Sequence, residues 1–176
     1  MWFYCGRWKR ESNYSVAQAK ELAGALDLTG FAALYHSPLH RTVETAQIVN
    51  QTAHLPMVAD DRLLEISYGD WDGQLNADLM TKYPDLFDPL INDVRAAYAP
   101  VANGESFASV EARVQAFTEE VAKAHPDERV ADLRGWIPHF HDVLIVHCMP
   151  VIKNISCNSI KYIKYIHLLC KPQKLK

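Results

Sequence analysis

The 176-residue sequence has no apolar run approaching the roughly 20 residues that a membrane-crossing helix needs. Its opening, MWFYCGRWKR, turns from aromatic to basic without the apolar stretch of roughly 7–15 residues that a secretory signal uses. Cysteine is sparse: Cys5, Cys148, Cys157 and Cys170 form no C-x-x-C pair. That spacing excludes a dense disulfide framework, so reduced thiols in a cytoplasmic protein are expected. There is no internal repeat, which excludes a solenoid or a propeller. Acidic residues are missing altogether beyond Asp142.

That last absence hides inside a formal charge of -3. Six lysines follow Asp142 and account for +6, leaving -9 for residues 1–142. The style of the chain also changes there, from Ala, Asp and Glu to Ile, Lys and Tyr. A basic tail over 156–176 is therefore read as separate from a domain over 1–155. It carries no sustained amphipathic or nucleic-acid motif. The remainder is ordinary for a globular domain, with 49% hydrophobic and 22% charged residues and enough length to bury a core.

Period and punctuation predict the elements. Ser15 followed by VAQAKELAGAL predicts a capped helix with Val16, Ala19, Leu22, Ala23 and Leu26 on one face. FAALY (31–35) predicts a short buried strand, residues 39–52 a second helix, and LPMVADDRLLEI a second extended passage. GDWDGQ (69–74) is turn chemistry with glycine at two places that tolerate positive φ. NADLMTKY predicts a short helix ending before Pro84. After the loop PVANGESF, the residues Phe107, Val110, Val114, Phe117 and Val121 recur at helical spacing up to Pro126. Residues 127–142 predict an irregular connector, and DVLIVH (142–147) a strand covered on both faces. Helices alternating with strands in this order predict an α/β fold with a mostly parallel sheet.

In such sheets the ligand crevice lies outside the carboxyl ends of the strands. Three polar groups stand at predicted ends: the Ser37–Arg41 corner, Glu65 after RLL, and His147 after DVLIV. An arginine fork suits phosphate oxygens. A carboxylic acid suits protonation of a leaving oxygen. An imidazole suits a phosphoryl group on which charge develops.

SPLHRTVETAQIV resembles the "SPL-x-R-A-x-x-TA" signature of the histidine phosphatase family, which includes the cofactor-dependent phosphoglycerate mutases. RLLEISYGDWDGQ resembles its "L-x-E-x-x-x-G-x-W-E-G" segment, NGESFASVEARV its "GES-x-x-x-x-x-x-R" helix start, and DVLIVH the strand delivering its second active-site histidine. These matches run from about Tyr14 to Ile155 in the family's order. The resemblance implies a three-layer α/β/α fold of the phosphoglycerate mutase type. It also implies hydrolysis or transfer of a phosphomonoester through phosphohistidine. Arg41 then matches the phosphate-clamping arginine, Glu65 the proton donor and His147 the second histidine. The implied partner is a small phosphorylated metabolite, with no cofactor, no metal, no nucleic acid and no membrane.

The family's nucleophile, a histidine in Arg-His-Gly at the end of the first strand, has no counterpart in these 176 residues. Impaired catalysis is therefore expected, together with a missing first strand that would leave FAALY and DVLIV without a shared neighbour. His36 at a strand end is the one candidate replacement, and His40 fills a variable position. Cys148 and Met149 stand where the family has glycines. Two alternatives remain: a non-catalytic relative that binds phosphorylated ligands or a protein partner, and a zinc-binding module. The latter would use His139, His141, His147, Cys148, Cys157, His167 and Cys170, none at the C-x(2–4)-C spacing of a structural site.

Overall fold

The computed structural model describes the backbone of residues 13–90, 93–134 and 144–148, and the side chains of 16–90 and 93–134. The described residues fall into two compact units, one within Ile66–Ala112 and the other on either side of that segment.

The flanking unit is built on a four-stranded sheet. It contains α1 (Asn13–Ala25), β1 (Phe31–His36), α2 (His40–Val49), β2 (Met57–Ala59), most of α5 (Phe107–Ala124), β5 (Arg129–Leu133) and β6 (Leu144–Cys148). The strand order is β2-β1-β5-β6. β1 runs parallel to both of its neighbours, and β6 runs antiparallel to β5. On one face, Leu22, Leu28, Leu34, Ala46, Val49 and Ala131 form a core with α1 and α2. On the other, Ala33, Leu63, Phe117, Val121 and Val130 pack beneath α5. This is the expected three-layer α/β/α arrangement with a mostly parallel sheet.

Several elements differ from their sequence-based expectation. α1 begins at Asn13, so Ser15 lies inside the helix rather than capping it. In α2 the buried stripe is Thr42, Ala46 and Val49, and Val43 turns partly outward. Arg129–Leu133, expected to belong to an irregular connector, is a buried strand. β1 is paired on both sides, and β6 is paired with β5. The predicted gap between FAALY and DVLIV is therefore filled by β5, a strand the sequence pattern did not announce. The rest of the connector and the basic tail over 156–176 lie outside the described residues.

The other unit holds α3 (Asn76–Lys82), the two-residue strands β3 (Phe87–Asp88) and β4 (Asp93–Val94), and α4 (Tyr98–Ala102). α4 occupies part of the expected loop before GES. Trp71, 3% exposed, stacks on Tyr83 and Phe87 with centroids 5.1 and 5.9 Å away. Tyr98 is fully buried, and its hydroxyl donates to the Glu105 carbonyl oxygen. Burial is the main cause that raises its hydroxyl well above the usual tyrosine range, with Glu105 adding to it. Gly69 has φ +59°, and a Cβ there would lie 2.2 Å from the Ala102 carbonyl oxygen. Only glycine meets both demands. Among the described residues no helix is long and apolar enough to cross a membrane.

Candidate functional site

β1 ends in the sequence His36-Ser37-Pro38-Leu39 and passes directly into α2. Ser37 is wholly buried, and its amide donates to the Leu133 carbonyl oxygen at 2.9 Å, which ties the corner to the end of β5. Pro38 then fixes φ and removes one donor. α2 starts at His40 with no side-chain cap and no acidic residue in its first turn. Its positive end is therefore unneutralised within its own turn. Arg41 stands in that first turn with its side chain 47% exposed.

Glu65 arrives from a separate segment that is tightly held. Asp60 caps the one-turn helix Asp61–Leu63, accepting from the Arg62 amide at 2.9 Å. The Arg62 guanidinium donates to both Asp60 carboxylate oxygens, at 2.9 and 2.6 Å, and to Glu120 at 2.7 Å. Arg113 on α5 donates to the Arg62 carbonyl oxygen at 2.6 Å. These bonds hold the Asp60 carboxyl below the usual carboxylate range, chiefly through the side-chain hydrogen bond from Arg62. The Glu120 carboxyl is lowered by the same guanidinium. Leu63, fully buried, anchors the turn in the core. Two residues later the Glu65 side chain, 14% exposed, receives a direct hydrogen bond from Nη2 of Arg41. Two residues 24 positions apart in the chain thus share one ion pair at the carboxyl-end corner of β1.

For His147 only the backbone is described. β6 is antiparallel, with His147 in register with Val130 and Leu144 with Leu133. Leu133 pairs in turn with His36. At roughly 3.3 Å per residue, the His147 backbone position lies about 10 Å down the sheet from the crevice end. The His147 side chain lies outside the described residues, so its expected place beside Arg41 stays an expectation. His36, by contrast, is at the right end and 6% exposed. Its Nδ1 lies 2.9 Å from the Ser37 carbonyl oxygen, which can only accept, so Nδ1 carries a proton. The proposed zinc ligands fall outside the described residues except for the backbone positions of His147 and Cys148. Among the described residues no group of three or more His, Cys, Asp or Glu could hold a metal ion.

Two features escaped the sequence reading. Asp132 and Arg134 form an ion pair at the end of β5, with side chains 1% and 4% exposed. Both nitrogens Nε and Nη2 of Arg134 donate to the Asp132 carboxylate, the second at 3.1 Å. The other feature is a hydrogen-bonded chain from the Tyr35 hydroxyl to His125 Nε2 (2.9 Å) and from His125 Nδ1 to Glu128 (2.7 Å). Burial, followed by the charges of Glu120 and Asp60, raises the Tyr35 hydroxyl.

Residues 12–132 match the family model for the Histidine phosphatase superfamily (branch 1). Phosphoserine phosphatase 1 of Hydrogenobacter thermophilus is 36% identical over 121 residues, which are 69% of this chain and 56% of that protein. Among solved structures, the alpha-ribazole phosphatase of Shigella flexneri aligns with a TM-score of 0.61 at 25% identity, covering 76% of this chain and 66% of that one. A mycobacterial glucosyl-3-phosphoglycerate phosphatase in complex with inorganic phosphate aligns with a TM-score of 0.58 at 28% identity, covering 66% and 55%. The chain spans about half the length of the curated relatives it matches.

Proposed function

The chain belongs to the histidine phosphatase superfamily, and on that premise we propose that Arg41 grips the phosphoryl group of a small phosphorylated metabolite while Glu65 stands as proton donor to the ester oxygen. The observation that carries this reading is the direct Arg41–Glu65 contact beside the uncapped start of α2. The guanidinium supplies a planar fork for phosphate oxygens. Once a phosphate ester has parted it from Arg41, the Glu65 carboxyl can take up a proton and pass it to the departing alkoxide. The phosphatases among its relatives favour hydrolysis over mutase chemistry. The sparse, unpaired cysteine pattern favours a cytoplasmic setting.

Hydrolysis through phosphohistidine further requires an imidazole nitrogen that attacks phosphorus and is later released by water. These 176 residues contain no Arg-His-Gly. The chain itself therefore binds phosphate without turning a monoester over. Inorganic phosphate or vanadate raises its melting temperature. At 100 times the dissociation constant a ligand adds about 2.7 kcal/mol of stability. Arg41→Ala removes that protection. Turnover of p-nitrophenyl phosphate equals buffer, with no acid-labile phosphohistidine. Turnover that vanished in His36→Ala would instead make His36 the nucleophile, and an unchanged melting temperature at millimolar phosphate would remove the binding reading.

A further inference from the structure

In the ligand-free chain Arg41 is already engaged. Its Nη2 donates directly to Glu65 Oε2, the arginine reaching outward (47% exposed) and the carboxylate seated further in (14% exposed). An anion that takes the Nη2 edge of the fork must first displace Glu65 from it. We propose that Glu65 is a specificity-determining residue: a tethered carboxylate that occupies Arg41 and so admits phosphomonoesters while refusing carboxylate ligands. This rests on the reading of Arg41 as the phosphate ligand.

The selectivity follows from comparing what each visitor offers with what it displaces. A free carboxylate brings two coplanar oxygens and one negative charge, the same as Glu65, and it also loses translational and rotational freedom on binding. Glu65 is held in place by the chain, with the Asp60–Arg62–Glu120 network and the Arg113 bond fixing the preceding turn. The exchange therefore gains nothing. A phosphate monoester carries about 1.5 to 2 negative charges and three acceptor oxygens. It can hold the arginine fork with two oxygens and turn the third toward the start of α2, where the first turn holds no acidic residue and no side-chain cap. Partly exposed pairs such as this one are weak. A dianion with an extra hydrogen bond displaces it, whereas a monoanion of equal geometry does not.

Calorimetric titration of the full chain with inorganic phosphate and with acetate tests this, using wild type, Glu65→Gln and Arg41→Ala. Wild type binds phosphate and shows no acetate binding. In Glu65→Gln the phosphate dissociation constant falls by about two- to fivefold, in line with the weakness of exposed pairs. Acetate binding becomes measurable, so discrimination between the two anions narrows. Arg41→Ala binds neither. Glu65→Asp, which keeps the charge on a shorter stem, gives intermediate values and serves as second variant should Glu65→Gln fold poorly. Equal or weaker phosphate binding in Glu65→Gln, with Arg41→Ala still binding no phosphate, overturns the selectivity role and leaves Arg41 as the phosphate ligand. Phosphate binding by neither wild type nor the folded Glu65 variants overturns the reading of Arg41 itself.

Discussion

Arg134 and Asp132 meet at the end of β5 with side chains 4% and 1% exposed, whereas Arg41 and Glu65 meet at the start of α2 with side chains 47% and 14% exposed. Both are arginine–carboxylate pairs, and each carries an arginine just beyond a parallel strand. Their surroundings assign them opposite work. The buried pair lies near the Phe117 ring, 5.9 Å from the Arg134 guanidinium, where water cannot compensate a lost partner. The open pair can exchange its partner for solvent at little cost. An ion pair that stabilises a fold and one that can be displaced by a ligand thus differ in burial rather than in chemistry.

The comparison breaks most visibly if Arg134 is removed. Loss of one partner of a buried pair costs about 3–5 kcal/mol. At roughly 2–4 °C per kcal/mol for a chain of this size, Arg134→Ala lowers the melting temperature by roughly 6–20 °C. Asp132→Leu combined with Arg134→Met recovers most of that loss, because matched apolar side chains replace both charges. A fall of only a degree or two in Arg134→Ala would place Arg134 among displaceable groups.

Removing Arg41 gives the contrasting result. Arg41→Ala shifts stability by no more than about 1 kcal/mol while abolishing thermal protection by phosphate. Salt sharpens the contrast further. Between 0.01 and 1 M the screening length falls from about 30 to about 3 Å. A double-mutant cycle on Arg41 and Glu65 should lose its coupling over that range, and one on Asp132 and Arg134 should keep it.

The smallest effect concerns Asp60, which is intermediate in exposure. Its carboxyl is held low by Arg62. That contribution is present above the ordinary aspartate value of about 3.9 and is lost as pH falls through the lower folded value. Asp60→Asn should flatten acid unfolding below about pH 4 and lower the melting temperature by a constant amount near neutral pH. An unchanged acid limb would remove Asp60 from the account.

These pairs also mark how far the sequence can be read. β1, the Ser37-Pro38 corner and α2 were legible because a short apolar run, a proline and helical spacing follow one another within 20 residues. The aromatic core around Trp71 was legible only as turn chemistry, since its ring contacts join residues well separated in sequence. β5 was hidden because RVADL carries Arg129 and Asp132, which read as surface until Arg134 and the Phe31 ring are found against them. The direction of β6 has no local signal at all, because parallel and antiparallel pairing place the same apolar run. Arg41 and Glu65 were each visible, but their contact depends on how Leu63 is buried and how Arg113 ties down Arg62.

The register of β1 with β5 joins Phe31 to Arg129 and His36 to Leu133. On the ribosome, β1 emerges about a hundred residues before that partner. At about 5–20 residues per second, its hydrogen-bonding edge waits on the order of 5–20 s with only the three residues of β2 to pair. The corner that holds Arg41 is fastened by Ser37 to Leu133, so it too is completed only when translation passes that point. Nascent-chain lengths stopping short of β5 should therefore be protease-sensitive at FAALYH, and those extending past Leu133 should be protected.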